Sequence, residues 1–180
     1  MRRIARQSLK LRVYLYIVVT YEKTGSRSSV MASATSDRRQ VSITLESKQG
    51  SESTRHTYTG EWFRKERSVY IRYEEGGGSE AEAVRTIIRI REGELLITRR
   101  GAVDSDQLFL RDGGKQPGQY RSPYTSFQME TLTEKLSVRA GGGRDNSDLT
   151  PPFTIEWKYE IWIDDEITGR FQNRLHVAAI

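Results

Sequence analysis

The sequence predicts an all-β protein that forms a single closed antiparallel up-and-down β-barrel of about eight to ten strands. From about Arg39 to His176 the chain reads as short strands joined by glycine-rich turns, and no stretch keeps a helical period for three turns. Every connection suits a hairpin, and none suits a crossover helix. A meander of this kind closes on itself because closure removes its unpaired edges. A two-sheet sandwich is the competing architecture.

The chain falls into two parts of different charge. Residues 1 to 40 hold nine Lys/Arg and two Asp/Glu, whereas residues 41 to 180 hold 20 and 22. The net charge of +5 therefore comes from the N-terminal end, and we do not expect nucleic acid as a partner of the slightly acidic barrel. The absence of cysteine excludes disulfides and thiolate sites and fits a cytoplasmic location.

Residues 1–35 are expected to be an extension that precedes a barrel domain at residues 38–180. The extension is basic, then has the seven-residue apolar run VYLYIVV, and then becomes small and polar. Seven apolar residues are too few to span a membrane. We expect Met31 to be the true start, with a gene-model extension or a disordered arm before it. Membrane or secretory targeting is the alternative, although the small residues near Ala32 lie about a dozen positions after the apolar run.

Nine strands are predicted, each a run of alternating or β-branched and aromatic residues bounded by turn residues. They span residues 40–48, 54–64, 68–74, 83–91, 94–101, 103–111, 125–138, 152–163 and 169–178. Turns are predicted at residues 76–79, 112–114, 141–147 and 164–166. The glycine runs at residues 76–78 and 141–143 are not phosphate-binding loops. Neither run leads from a strand into a helix, and no Gly-Lys-Ser/Thr follows.

The fourth and fifth strands indicate which side chains face the interior. A two-residue turn at Glu92-Gly93 places Ile88 opposite Ile97 and Thr86 opposite Arg99. One face then consists of Thr86, Ile88, Ile90, Leu95, Ile97 and Arg99, and the other of Arg85, Ile87, Arg89, Arg91, Glu94, Leu96, Thr98 and Arg100. The second face carries most of the charges, so the first faces the core, and Arg99 is its one charged member.

The strand at 152–163 predicts a large core. One of its faces consists of Phe153, Ile155, Trp157, Tyr159, Ile161 and Ile163. Side chains can fill the interior of an eight-stranded barrel, or can leave room for one small ligand. Both alternatives stay open at this point.

Several stretches of the chain carry a family likeness. They are VSITLES at Val41–Ser47, VYIRYEE at Val69–Glu75, VRTIIRIREGELLITRRGAV at Val84–Val103, QLF at Gln107–Phe109 and SPYTSFQMET at Ser122–Thr131. Through them the chain resembles the YwiB-like family of uncharacterised bacterial β-barrel proteins, which is grouped by fold with the lipocalin-like calycins. It departs from the family at Asp104 and Leu108, where basic residues are usual, and at Thr125, where glycine is usual. The resemblance implies the calycin habit of binding small hydrophobic molecules, but no established activity.

The candidate ligand-binding residues are Arg99, Tyr73, Gln107, Tyr124 and Tyr159, with Tyr120 as a further wall residue. In this hypothesis a small amphipathic or acidic molecule binds inside the barrel, and Arg99 anchors its carboxylate or phosphate. The tyrosines and Gln107 supply apolar walls with polar ends. The alternative is structural: Arg99 lies at the rim or pairs with a buried acid such as Glu61 or Glu130.

A second hypothesis places the function on the outer face of the central hairpin. Arg85, Arg89, Arg91 and Arg100 would form a basic surface for a protein or RNA, with no interior ligand. Glu94 lies among them, so cross-strand ion pairs on a solvated face are the competing interpretation.

No catalytic or metal site is expected, and the protein is predicted not to be an enzyme and to need no cofactor. His56 and His176 are far apart in the sequence, and no cysteine accompanies them. The acidic turn Asp164–Glu166 lacks the twelve-residue pattern of a calcium loop. No Gly-x-Ser-x-Gly motif is present to mark a nucleophilic serine.

Overall fold

The computed structural model describes residues 37–76, 82–140 and 149–180. These residues form ten antiparallel β-strands: β1 (Arg38–Gln49), β2 (Glu52–Lys65), β3 (Ser68–Glu75), β4 (Val84–Arg91), β5 (Glu94–Gly101), β6 (Asp104–Leu110), β7 (Lys115–Arg121), β8 (Ser126–Ala140), β9 (Phe153–Ile163) and β10 (Glu166–Ala179). Among the described residues there is no helix long and apolar enough to cross a membrane. The predicted extension at residues 1–35 and most of the predicted turns at 76–79 and 141–147 lie outside the described residues.

The ten strands form a closed barrel in which each strand pairs with its neighbours in the sequence. Closure comes from β1, which pairs with β2 on one side and with β10 on the other. Val41, for example, lies opposite both Gly60 and Ala179. The predicted up-and-down barrel is therefore confirmed, and the two-sheet sandwich is excluded.

The prediction missed one strand, β7. Its sequence KQPGQYR contains a proline and a glycine, and it has one large apolar side chain facing inwards, that of Tyr120. These residues are depleted in strands, so sequence pattern assigned them to a loop. β7 pairs along its whole length with β8, but with β6 it pairs at only three positions, from Asp104 opposite Arg121 to Asp106 opposite Gln119.

The central hairpin has the predicted register. Ile88 lies opposite Ile97 and Thr86 lies opposite Arg99. Gly93 supplies the positive φ of +71° that the two-residue turn requires. Ile88 is 1% exposed, whereas its neighbour Ile87 is 37% exposed. The predicted interior face of this hairpin is therefore confirmed.

Aromatic and aliphatic side chains fill most of the barrel. All six residues of the predicted inner face of β9, from Phe153 to Ile163, are buried. Tyr159 contacts Phe109 edge to face at 4.8 Å between ring centroids and stacks on Phe171 at 5.1 Å. Elsewhere in the core, buried Trp62 donates a hydrogen bond to the carbonyl of Leu149, in the segment that leads into β9, at 3.1 Å. One small cavity lies among apolar and polar side chains of the interior.

Candidate interior binding site

The barrel interior contains a partly enclosed cavity of about 30 Å³. A water molecule needs roughly 10 to 15 Å³ measured in this way, so the cavity has room for two or three groups of that size. Pockets for drug-sized molecules have volumes of about 300 Å³ or more. Seven strands contribute to its wall, which consists of Leu45, Ser47, Tyr73, Ile88, Ile97, Arg99, Gln107, Phe109, Trp157, Tyr159 and Asn173.

Four of the five predicted binding residues line this cavity: Arg99, Tyr73, Gln107 and Tyr159. The placement of Tyr124 in the interior was wrong, because its side chain is 92% exposed. It lies in the turn between β7 and β8, where the backbone N–H of Ser122 donates to the carbonyl of Thr125 at 2.8 Å. Strand alternation therefore says nothing about the direction of its side chain.

Arg99 forms an ion pair with Glu75, and its Nε lies 3.2 Å from Oε1 of that carboxylate. The two side chains are 15% and 13% exposed. The hydroxyl of Thr86 donates to the same oxygen at 2.6 Å. Sequence reasoning foresaw a structural ion pair as one alternative, but it named the wrong acids.

The two acids proposed as partners of Arg99 lie on the outside of the barrel. Glu61 pairs with Arg72 at 2.5 Å, and Glu130 pairs with Lys115 at 3.1 Å. On β3 the buried residues are Val69, Ile71 and Tyr73, so the same alternation places Glu75 on the inner side. Because Glu75 is on the inward side of β3, its carboxylate can pair with Arg99.

Two tyrosines next to this ion pair are neutral at physiological pH. Tyr58 and Tyr73 stack with ring centroids 4.7 Å apart. Burial raises the pKa of both phenols, and the nearby Glu75 carboxylate raises it further, although Arg99 partly opposes the shift. Their hydroxyls thus keep their protons and act as neutral polar groups beside the cavity.

Trp157 is the unusual member of the cavity wall. The chain contains three tryptophans. The indole N–H of Trp62 donates to the carbonyl of Leu149 at 3.1 Å, and that of Trp162 donates to the carboxylate of Glu160 at 3.0 Å. Trp157 is 2% exposed, and its Nε1 has no acceptor among the described groups of the chain. A buried donor left without a partner costs about 1 to 3 kcal/mol.

Sequence reasoning did not single out several polar residues of the interior. Ser47 and Asn173 line the cavity, and the hydroxyl of Ser47 donates to the amide oxygen of Asn173 at 2.6 Å. Glu75 was missed in the same way. All three continue an alternating row of apolar side chains, so the pattern that pointed to Arg99 also marks them.

The two histidines lie on opposite sides of the barrel wall. His56 is on the inward side of β2, stacked on Tyr58 at 6.2 Å. His176 is exposed on β10, where its Nδ1 lies 3.1 Å from the hydroxyl of Thr154. In the part of the chain that the structure describes, no three His, Asp or Glu side chains are grouped so that they could bind a metal ion.

The outer face of the central hairpin is covered by ion pairs. Arg85 pairs with Glu74 at 3.3 Å, and Arg100 pairs with Asp106 at 2.7 Å. Arg89 lies 3.9 Å from Glu94 across the hairpin. The cations of this face are thus largely compensated, which favours the solvated interpretation over a basic binding surface.

The family described as a domain of unknown function (DUF1934) matches residues 39–175 of the chain. The chain belongs to the DUF1934 family. A curated relative, the "Uncharacterized beta-barrel protein YwiB" of Bacillus subtilis (strain 168), is 31% identical over 78 residues, which are 43% of this chain and 53% of YwiB. The match thus spans about half the length of that relative. The predicted resemblance to the YwiB-like family is confirmed.

A solved structure supports the fold independently of close sequence similarity. The crystal structure of the YwiB protein from Bacillus subtilis matches with a TM-score of 0.65 and 20% sequence identity. The superposition covers 79% of this chain and 93% of YwiB. The chain is therefore a DUF1934 β-barrel protein of the YwiB type.

Two departures of this chain from the family pattern lie outside the interior. Asp104 and Leu108 are both on the outward side of β6, since their neighbours Ser105, Gln107 and Phe109 are buried. Asp104 accepts hydrogen bonds from Arg121 and from the backbone N–H of Gly101, and these bonds lower the pKa of its carboxyl. Asp104 and Leu108 therefore contribute to the outer surface of this DUF1934 barrel and not to its cavity.

Proposed function

We propose that this DUF1934 barrel is a cytoplasmic, non-enzymatic binding protein that accepts the acidic head group of a small molecule in its interior cavity. The observation that carries the proposal is the buried indole N–H of Trp157, which has no acceptor among the described groups. Trp157 lines the cavity, and an occupant whose acceptor oxygen came within reach of its Nε1 would recover a cost of about 1 to 3 kcal/mol. The cavity wall also includes Arg99 and the amide of Gln107, so other donors lie close by.

The size of the cavity limits the occupant. A carboxylate has three non-hydrogen atoms and matches a volume of about 30 Å³, whereas an apolar tail does not fit beside it. An amphipathic ligand would therefore bind by its head group alone, with its tail outside the cavity. Tyr73 and Tyr159 form part of the wall around the head group.

The ion pair of Arg99 shapes the electrostatics of the cavity. Glu75 cancels the charge of Arg99, so the attraction for an anion comes from N–H and O–H dipoles more than from a net positive charge. Arg99 lines the cavity and Glu75 does not. A bound carboxylate is therefore closer to the guanidinium than to the competing acid, and Glu75 serves to orient Arg99.

The test uses acetate as the probe, with acetamide as its uncharged analogue of the same size. Acetate has four non-hydrogen atoms, so its binding free energy cannot be more favourable than about −6 kcal/mol. Titration calorimetry must therefore cover millimolar acetate concentrations. We expect acetate to bind the wild type and acetamide to bind at least about tenfold more weakly, because hydrogen bonds to charged groups are stronger. Native mass spectrometry of the protein from its own host then identifies any retained ligand.

Trp157→Phe keeps an aromatic ring and removes the N–H, and Trp62→Phe makes the same change at a buried indole that has an acceptor. We expect Trp157→Phe to weaken acetate binding by about 10- to 100-fold, and Trp62→Phe to leave it unchanged. In urea denaturation without ligand, Trp62→Phe should be the more destabilising by about 1 to 2 kcal/mol, since it strands the carbonyl of Leu149. Equal acetate affinities of the Trp157→Phe variant and the wild type would contradict the proposal.

A further inference from the structure

A second feature of the barrel is a strongly basic stretch of its outer surface, separate from the cavity. It consists of the outward side chains in three rows across five adjacent strands, in the order β8, β9, β10, β1, β2, and we call it the basic wall. The rows are Arg139, Thr154, His176, Thr44 and Thr57; Ser137, Glu156, Arg174, Glu46 and Arg55; and Lys135, Lys158, Gln172, Lys48 and Ser53. These rows contain six Lys/Arg and two Glu, which gives a net charge of +4.

The acids of the basic wall are too few to neutralise its cations. The single carboxylate of Glu156 contacts three cations: Arg174 at 2.9 Å, Arg139 at 3.4 Å and Lys135 at 4.0 Å. This differs from the outer face of the central hairpin, where the contacts pair one base with one acid. The overall charge of −2 in residues 41–180 therefore conceals a local excess of positive charge.

The third row places three lysines close enough to repel one another. Lys135 and Lys158 lie directly opposite each other on β8 and β9, and Lys48 is two strands further along the same row. Like charges directly opposite in a sheet are destabilising. The nearest acid in the sequence, the exposed Glu134, occupies the bulge beside Lys135 and is outside the row. Repulsion of this kind would be relieved by a bound polyanion.

The polar character of the basic wall points to phosphate groups. None of the exposed large apolar side chains in the described structure belongs to its three rows. Protein interfaces have an apolar centre, whereas nucleic-acid interfaces are polar and strongly positive. Exposed hydroxyls of Thr57 and Ser53 accompany the cations and can donate to phosphate or ribose oxygens.

We propose that the basic wall is a docking surface for double-stranded RNA. Its rows contain no Phe, Tyr or Trp on which unpaired bases could stack, as single-strand binders require, and their one imidazole, that of His176, lies 3.1 Å from the hydroxyl of Thr154. The wall is the convex outside of a barrel and has no helix or ribbon that could enter the major groove of DNA. The wide, shallow minor groove of A-form RNA, with its 2′-hydroxyls and flanking phosphates, suits such a surface.

The test compares two variants of the full chain that lose the same charge. One is Lys48→Gln/Lys135→Gln/Lys158→Gln on the basic wall, and the other is Arg85→Gln/Arg91→Gln/Arg100→Gln on the central hairpin. Binding to a 20-base-pair RNA duplex is followed by fluorescence anisotropy at several salt concentrations. We expect the basic-wall variant to bind at least about tenfold more weakly. The slope of its log binding constant against log salt concentration should be smaller in magnitude by about 2 to 3. The hairpin variant should change affinity less than about threefold.

Thermal unfolding of both variants confirms that they are folded, and loss of the Lys135–Lys158 repulsion should not destabilise the first. Equal losses in the two variants would show that only net charge matters and would overturn the proposal. Tighter binding to single-stranded RNA or to a DNA duplex would overturn it as well. Binding of polyglutamate in preference to duplex RNA would assign the surface to an acidic protein instead.

Discussion

At the scale of single residues, strand alternation placed Arg99 and Tyr159 on inward faces, whereas Tyr73, Gln107 and Tyr124 were proposed for their aromatic or amide side chains. Arg99, Tyr73, Gln107 and Tyr159 line the cavity because each lies on the inward side of its strand. Tyr124 was chosen for its aromatic character, and its position in a turn leaves it exposed. Alternation on β3 marks Glu75 as inward, but its pairing with Arg99 also depends on the register between β3 and β4, which no local pattern gives. Across β3 and β4 that register brings Glu75 next to Val84 and Tyr73 next to Thr86.

The Arg99–Glu75 pair gives a prediction at this scale. Arg99→Met removes the cation and leaves a largely buried carboxylate behind, so we expect a loss of about 2 to 4 kcal/mol in the free energy of unfolding. Urea denaturation measures it. The double variant Arg99→Met/Glu75→Gln should be more stable than Arg99→Met, because no charge is then left unpaired.

Arg72→Met is the matched control, since Arg72 pairs with Glu61 on the exposed surface, and it should cost less than about 1 kcal/mol. If Arg99→Met is as stable as the wild type, the ion pair contributes nothing to folding. Arg99 would then be left with a role in binding alone.

At the scale of strands and hairpins, the sequence was most informative where alternation is strict. The β4–β5 hairpin was predicted to the residue because Glu92-Gly93 sets the turn and the charges set the outer face. β7 was missed because Pro117 and Gly118 are poor strand formers and its one large apolar side chain gives no alternation to read. It is a strand because β8 pairs with it throughout, which is a tertiary effect invisible to local pattern.

The register of the central hairpin predicts unequal effects of similar substitutions. Ile88→Ala and Ile97→Ala should each lower the free energy of unfolding by about 2 to 4 kcal/mol, because both truncate buried side chains. Ile87→Ala removes the same atoms from the outer face and should cost much less. Chemical denaturation of the three variants checks this. Equal losses at Ile87 and Ile88 would mean that both faces are covered, and the isolated barrel would not be the complete fold.

At the scale of the whole molecule, the closed barrel and the family were both predictable, and the occupancy of the interior was not. Short hairpin connections leave few topologies, so counting strands and turns was enough to predict closure. The cavity volume of about 30 Å³ depends on how Phe109, Trp157, Tyr159 and Phe171 pack against one another. Such packing is set by the three-dimensional arrangement of several strands, and no single strand pattern contains it.

The domain division gives a prediction for the full chain. Deleting residues 1–35 removes a charge of +6, since seven Lys/Arg and one Glu are lost, and it leaves all ten strands in place. We expect the melting temperature to stay within a few degrees of the full chain, as for the loss of surface contacts worth about 0.5 kcal/mol. Calorimetry of both proteins decides it. A truncated chain that does not fold would show that these residues complete the barrel.

The pairing of β1 with β10 has a consequence for synthesis. Val41 and Ala179 are neighbours in the sheet, and the N–H of Ile180 donates to the carbonyl of Gln40 at 3.3 Å. β1 therefore leaves the ribosome with one edge unpaired and waits until the other nine strands have emerged, a delay in which a chaperone or a second nascent chain can occupy that edge. The same adjacency means that a short linker from the end of β10 to the start of β1 would permit circular permutation, and new ends at an exposed hairpin would let β10 and β1 emerge consecutively.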